Sequence, residues 1–238
     1  MTRINPKSIQ CADCISRNNF IFCGLENDEL GNIAKKKITN VYKKGQTLFF
    51  QGNPPYGLYC IQDGKIKVSK IGNDGKESIV RIAGQGDILG HRCLFSEECY
   101  SATATAIEDS IICYLDQKFI LKVIESNPKV SFNIIRRLCK DLGTAEKKMA
   151  SLFQKNVRER LAEQLLALKD KYGQLEDQTW KLDIKLTREE MASMIGVANE
   201  TLIRFITEFK EEGLIEQKGK TIYITNEEAL IEFSNPIY

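Results

Sequence analysis

"LTREEMASMIGVANETLIRFITEFKEEGLIEQKGKTIYIT", residues 186–225, decides how this chain is read. Thr187 with Glu190 three residues later is a capping box, the signature of a helix start. Leu186, Met191, Met194 and Ile195 form one apolar face, and Gly196 breaks that helix. A second helix begins about Asn199, where Leu202, Phe205, Ile206 and Phe209 recur at i, i+3, i+4 and i+7, and Gly213 ends it. "GLIEQKGKTIYIT" is then a strand, a Lys-Gly-Lys turn and a strand. Two short helices joined by a glycine-containing turn are the helix-turn-helix pattern, and the trailing hairpin makes it winged.

Glu200 and Arg204 stand four apart, so they share one face near the start of the second helix. A recognition helix presents its N-terminal residues to base edges in the major groove. Glu accepts from cytosine N4 and Arg clamps guanine O6 and N7, so the pair suits adjacent C and G on opposite strands. Asn199 and Thr201 are placed for phosphate or a neighbouring base, and Lys218 and Lys220 for backbone phosphates. With Thr187 they complete the candidate DNA-contacting set, and the recognition helix is expected over Asn199–Glu212. The same spacing also makes Glu200 and Arg204 a good exposed ion pair. Residues 181–220 hold seven Lys/Arg against eight Asp/Glu, so the region has no basic excess.

Outward from this stretch the texture changes twice. Residues 38–115 are rich in glycine and short β-type runs such as "GLYCIQDGKIKVSKI" and "TATAIEDSIICYL". That spacing predicts an all-β barrel or sandwich, with "KIKVSKIGNDGKESIVRI" as its clearest hairpin. From 117 to 169 helix formers dominate. Pro128 suits a first helical turn. Ile134, Ile135, Leu138, Leu142, Met149, Leu152 and Phe153 then mark an amphipathic helix of roughly 25 residues, with a candidate break at Gly143. Its stripe packs on its own barrel or forms a two-helix dimer seam, for which Ile135, Leu138, Leu142 and Met149 are the candidates. "NVRERLAEQLLALKDKYG" reads as a further helix ending at Gly173.

The chain has 238 residues, 42% hydrophobic and 28% charged, with a net charge of +2, as expected for one large or two ordinary globular domains. Any basic patch must be local. No apolar run is long enough to span a bilayer, and "MTRINPKSIQ" has no signal-peptide core, so the cytoplasm is the expected location. Eight cysteines in that compartment are expected to be thiols or metal ligands rather than structural disulfides. With one histidine, no Gly-rich phosphate loop and no organised carboxylate pair, nothing points to an enzyme.

In its ordered combination of parts, nearly the whole chain resembles the CRP/FNR family of bacterial transcription regulators. "GVANETLIRFITEFKEEGLI" resembles the family's recognition helix with its Glu-Thr-x-x-Arg core. "KKGQTLFFQGNPPYGLYCIQDGKIKVSKIGNDGKESIVRIAGQGDILG" resembles its cyclic-nucleotide-binding-type β-roll, and "SLFQKNVRERLAEQLLAL" the segment leaving the dimerisation helix. The resemblance implies an α+β fold: an N-terminal cysteine segment and β-roll sensor (1–116), a dimerisation helix region (117–155) and a winged helix-turn-helix (156–238). It implies a homodimer on a two-fold-related site in double-stranded DNA that contacts RNA polymerase, with Glu200 and Arg204 reading bases. The competing readings are a regulator of the same fold with a different small ligand or none in the β-roll, and a cyclic-nucleotide-controlled module with protein-binding C-terminal helices. Asn199 stands where cAMP receptors of the family carry an Arg, and Ala198 where they carry a capping Ser. A different half-site preference is therefore expected, with Asn199 as the alternative cap.

The family's cAMP pocket holds the ribose with a Gly-Glu pair and the phosphate with an Arg-Ser pair. Here those positions are Gly90-His91 and Tyr100-Ser101, with Arg92 one residue along. The ribose carboxylate is gone and Tyr100 brings no positive charge, so cAMP is not the expected signal. His91, the chain's one histidine, is expected to be a half-exposed loop residue. The branch typified by FNR senses oxygen through a [4Fe–4S] cluster on three N-terminal Cys and one on a late roll strand. Cys11, Cys14, Cys23 and Cys113 fall at matching places, although the second gap is longer than in that branch. Zinc or a redox-sensing thiol pair would use the same residues. Cys60 and Cys113 both lie in apolar strand runs, where a buried thiol would act as a small hydrophobe. Cys93, Cys99 and Cys139 match no ligand pattern.

Overall fold

The computed structural model describes residues 11, 14 and 21–234. The chain divides into two units, 1–143 and 144–238. In the first, α1 (Asn27–Lys36) is followed by β1 (Ile38–Tyr42), β2 (Thr47–Phe49), β3 (Gly57–Asp63), β4 (Ile66–Ile71), β5 (Glu77–Ala83) and β6 (Ile88–Leu89). Then come α2 (Cys93–Ser96), β7 (Thr103–Ala106), β8 (Ser110–Asp116), α3 (Gln117–Ser126) and the start of α4 (Pro128–Gln154). The strands form two four-stranded antiparallel sheets, β1-β8-β3-β6 and β2-β7-β4-β5. The expected hairpin is there: β4 and β5 pair from Ile66↔Ala83 to Ile71↔Glu77.

β3 explains how the roll is filled. Successive side chains on a strand point to opposite faces. Leu58 and Cys60 join a core with Leu30 and Ile33 of α1, Ile120 of α3 and Ile134 of α4. Tyr59 and Ile61 join the other core, between the sheets, with Ile66, Ala104 and Ile112. A strand covered on both sides reads as an unbroken apolar run, as "GLYCI" does.

α4 is continuous through Gly143. Asn127 caps it, its Oδ1 accepting from the Lys129 and Val130 amides at 3.1 and 3.3 Å. Val130 and Ile134 are buried, and Leu138 packs beside them on the same core. Leu138 therefore does not share the outward stripe expected of it. Phe132, Ile135, Leu142, Met149 and Phe153 carry that stripe and are exposed. Leu138 lies one turn after Ile134 and still meets that core, whereas Leu142, one further turn along the same row, is exposed.

The second unit holds the end of α4, then α5 (Val157–Tyr172), β9 (Gly173–Glu176), β10 (Thr179–Leu182), α6 (Arg188–Ile195), α7 (Asn199–Glu211), β11 (Ile215–Lys218), β12 (Thr221–Ile224) and α8 (Glu227–Ser234). One sheet, β11-β12-β10-β9, backs the helices. Its β9–β10 hairpin has no glycine in its turn; Asp177 and Gln178 take φ of 44° and 64° instead, so the usual turn signal is missing from the sequence. Leu161, Leu165, Leu202, Ile206 and Phe209 are fully enclosed. Among the described residues no helix is long and apolar enough to cross a membrane.

Candidate nucleic-acid interface and thiol pocket

The two helices of the motif are built as their residues dictate. Thr187 caps α6: its Oγ1 accepts from the Glu190 amide at 3.1 Å, and Glu190 Oε2 accepts from the Thr187 amide at 2.9 Å. Gly196 closes α6 at φ 69°, in the left-handed region where glycine is unstrained, and turns the chain into α7. The cap of α7 is Ala198, with extended backbone and no side-chain bond. Asn199 is already helical, so it does not cap. A cap needs the extended backbone that Ala198 has, to aim its side chain at the next amides. Asn199 Oδ1 is buried without a partner among the described residues.

Leu202, Ile206 and Phe209 turn inward, while Glu200, Ile203, Arg204 and Thr207 are exposed. Phe209 stacks on Phe233 of α8, and the Arg158 guanidinium of α5 lies 5.5 Å over the Phe209 ring. Arg204 does not pair with Glu200. Its Nε lies 3.7 Å from Glu208 Oε1, and its guanidinium sits 4.9 Å over Phe205. The helix thus offers Glu200 and Arg204 side by side to solvent. In the wing, Lys218 and Lys220 flank Gly219 at φ 62°. Lys220 and Thr187 are exposed; Asn199 and Thr201 are partly covered. Lys218 Nζ lies 3.7 Å from Glu216 and 5.0 Å over Tyr223.

In the roll, Gly90 has φ 83°, and a Cβ there would lie 2.6 Å from the Gly57 carbonyl oxygen. The next residue departs from expectation. His91 is only 4% exposed, not half-exposed, because α4 covers it. Its Nε2 is 3.1 Å from Asp141 Oδ2, while Nδ1 is buried without a partner among the described residues. Arg137 Nε donates to Asp141 Oδ1 and its Nη2 to Asp87 Oδ1, both at 2.9 Å, and Arg81 Nη1 lies 3.8 Å from Asp141. Burial pushes the Asp141 carboxyl up, but the His91 hydrogen bond and the Arg81 and Arg137 charges outweigh it and hold the carboxyl down to about 2.

Tyr100 is 2% exposed, stacks on Phe49 at 4.0 Å, and its hydroxyl accepts from the Tyr56 amide at 3.1 Å. An aromatic ring therefore occupies the roll interior at that position. Arg92 donates to the Ser101 hydroxyl on the exposed side, so the cation is near Ser101 without entering the core.

Cys11, Cys14, Cys60 and Cys113 line one small apolar pocket, with Lys37 beside them. Cys60 and Cys113 are directly paired across β3 and β8. The Cys113 thiol donates to Gln62 Oε1 at 3.4 Å, and Thr39 Oγ1 lies 3.7 Å from its sulfur. Burial drives the Cys60 thiol well above its ordinary value, and the neighbouring sulfurs add to this. Burial likewise raises Cys11 and Cys113, opposed by the Lys37 charge.

Of the expected ligand set, Cys11, Cys14 and Cys113 come together at this pocket. Cys23 does not line the pocket, and among the described residues no three His, Cys, Asp or Glu side chains already form a group that could hold a metal ion. Cys60 was invisible as a pocket member because only strand register puts residues 60 and 113 opposite each other. The His91–Asp141 contact, fifty residues apart, carried no sequence signal either.

Residues 39–127 match the cyclic nucleotide-binding domain family, and residues 159–233 the Crp-like helix-turn-helix domain family. The chain is 29% identical over 88% of its length to a CRP-like cAMP-activated global transcriptional regulator of Mycobacterium tuberculosis, covering 94% of that protein. It is also 29% identical to the fumarate and nitrate reduction regulatory protein of Escherichia coli K12, over 95% of this chain and 91% of the other. Among solved structures, FixK2 from Bradyrhizobium japonicum shares the fold with a TM-score of 0.77 at 20% identity, over 85% of this chain and 99% of that one.

Proposed function

From the premise that this chain belongs to the CRP/FNR family of DNA-binding transcription regulators, we propose that it acts as a homodimer reading a palindromic DNA site through α7. The family is one of transcription regulators, not enzymes. The observation that carries the reading is the split of α7: Leu202, Ile206 and Phe209 are buried, while Glu200 and Arg204 lie together on the open face. Arg204 clamps a guanine and Glu200 accepts from a cytosine; Thr187, Asn199, Thr201, Lys218 and Lys220 hold phosphates and set register. RNA polymerase is the protein partner and the cytoplasm the place of action.

The dimer forms along α4. Phe132, Ile135, Cys139, Leu142, Met149 and Phe153 follow one another at steps of three, four or seven, the a/d rhythm of a two-stranded coiled coil. Exposed apolar side chains at this spacing need a second copy of the same helix. Leu142→Glu is expected to dissociate the dimer and lose DNA binding together, by about 2–3 kcal/mol for the lost apolar burial. Leu138→Glu should instead unfold the first unit. Sedimentation and melting curves separate the two.

The signal enters at the N-terminal thiols rather than as cAMP in the roll. Tyr100 fills the place where a phosphate-holding Arg would be needed, and four thiols converge on one pocket. The function is tested by titrating promoter fragments and following fluorescence anisotropy against salt. Sequence-selective binding that weakens steeply with salt is expected. Binding without sequence preference would overturn the regulator reading.

A further inference from the structure

We propose that a cavity beside the wing of the second unit binds a medium-chain fatty carboxylate, and that its occupation takes the wing away from DNA. The binding site stands on its own geometry. Its effect on DNA rests on the reading of Thr187 and Lys220 as phosphate contacts.

The cavity has a volume of about 220 Å³ and lies among α5, α6 and the strands β10, β11 and β12. Leu168 of α5, Leu182 of β10, Met191 of α6 and Ile222 of β12 line it, and all four are buried. Ile184 and Leu186, in the segment leading into α6, add two more aliphatic side chains. No aromatic ring is in the lining, so nothing there stacks on a planar ligand and an acyl chain fits the walls better. A dry apolar cavity of about 150 Å³ takes benzene, and by that scale this one has room for roughly eight carbons.

The polar part of the lining selects the head group. Arg188, at the start of α6, and Lys220, in the wing turn, are its charged residues, and neither Asp nor Glu lines it. Arg188 is partly buried and donates to Gln217 Oε1 of β11, while Gln217 Nε2 donates to the Gly219 carbonyl oxygen at 2.6 Å. The guanidinium is thereby tied to the wing turn. Among the described residues no carboxylate pairs with Arg188, and burial pushes its guanidinium below the ordinary arginine value. A partly desolvated cation of this kind is completed by an anion, and the guanidinium fork, with N–H donors still unspent, matches a carboxylate. Lys220, exposed at the same cavity, brings a second positive charge. Free phosphate would leave the aliphatic walls unburied, and a neutral hydrocarbon would leave Arg188 without a counter-ion. A fatty carboxylate meets both. Thr187 also lines the cavity, so a ligand seated there touches two of the residues assigned to the DNA backbone, and the two anions compete for them.

The test uses the full chain as wild type, R188Q and L186W, with melting curves to control for folding. Calorimetric titrations compare octanoate, hexanoate, octanol and acetate. Octanoate should bind, and hexanoate should bind on the order of 10-fold more weakly, because each buried methylene contributes about fourfold. R188Q should weaken octanoate on the order of 10-fold and leave octanol unchanged, a split that a merely structural role would not produce. L186W, which fills the cavity, should abolish octanoate binding; if it fails to fold, the R188Q split decides alone. A wild type that takes no octanoate overturns the proposal, and so does acetate binding as tightly as octanoate, which would reduce the site to an anion contact. Anisotropy with promoter DNA then reads the competition, with equal sodium acetate as the ionic-strength control. Octanoate should weaken DNA binding several-fold in the wild type and lose that effect in L186W. Octanoate bound with DNA affinity unchanged overturns the competition and leaves the cavity site standing. A chain that takes octanoate but shows no sequence-selective DNA binding overturns the regulator reading instead.

Discussion

The open face of α7 and the thiol pocket were assembled by different physics. On α7 the helical period alone carries Glu200 and Arg204 outward and Leu202, Ile206 and Phe209 inward, over one stretch of thirteen residues. The pocket takes its sulfurs from positions 11, 14, 60 and 113, and strand register decides which of them meet. A site on one helix is a local property of the chain. A site between strands belongs to the fold.

The sharpest way to break that contrast is at the support of α7. Phe209→Ala removes a fully buried ring that packs against Phe233 and the Arg158 guanidinium and should cost about 3–5 kcal/mol. Urea unfolding followed through Trp180, the chain's one tryptophan, reads it. A loss under about 1 kcal/mol would mean that the inward face of α7 is not what positions its outward one.

A smaller loss is expected on the outward face itself. Arg204→Ala should weaken the preferred DNA site by about 1–3 kcal/mol and relax choice at one base position, with folding intact. Anisotropy on sites changed one base at a time checks this; a uniform loss on all sequences would demote Arg204 to a phosphate contact.

The non-local side has its own handle in Asp141. Its folded carboxyl is depressed to about 2, so it contributes stability that is fully present above the ordinary carboxylate value near 3.8. That contribution, about 2 kcal/mol, is lost as pH falls from roughly 4 through 2. Circular dichroism melts across this window should show it, and Asp141→Asn should flatten it. An unchanged acid limb in the variant would show that the His91–Arg81–Arg137 arrangement does not hold this carboxylate. The smallest effect belongs to Lys220→Ala, which should leave sequence choice alone and reduce the salt slope of binding by about 1.

Much of the fold was legible because its signals are short-range. The Thr187–Glu190 box, the Gly196 turn, the Gly219 wing and the β4–β5 hairpin each rest on a few neighbouring residues. The departures have physical causes. Asn199 could not cap once Ala198 took the extended backbone. Leu138 went inward because Ile134, one turn earlier, was already in the core. The β9–β10 turn uses Asp177 and Gln178 in place of glycine.

The sequence by itself determined the order of parts and the faces of the helices, because periodicity and capping act within a few residues. Only the tertiary structure decided that His91 lies under α4 against Asp141, that Tyr100 fills the roll, and that Cys60 rather than Cys23 stands with Cys113. Those are pairings across fifty residues or more of chain, or positions within a packed core. They exist only once strand register and core packing have chosen which residues meet.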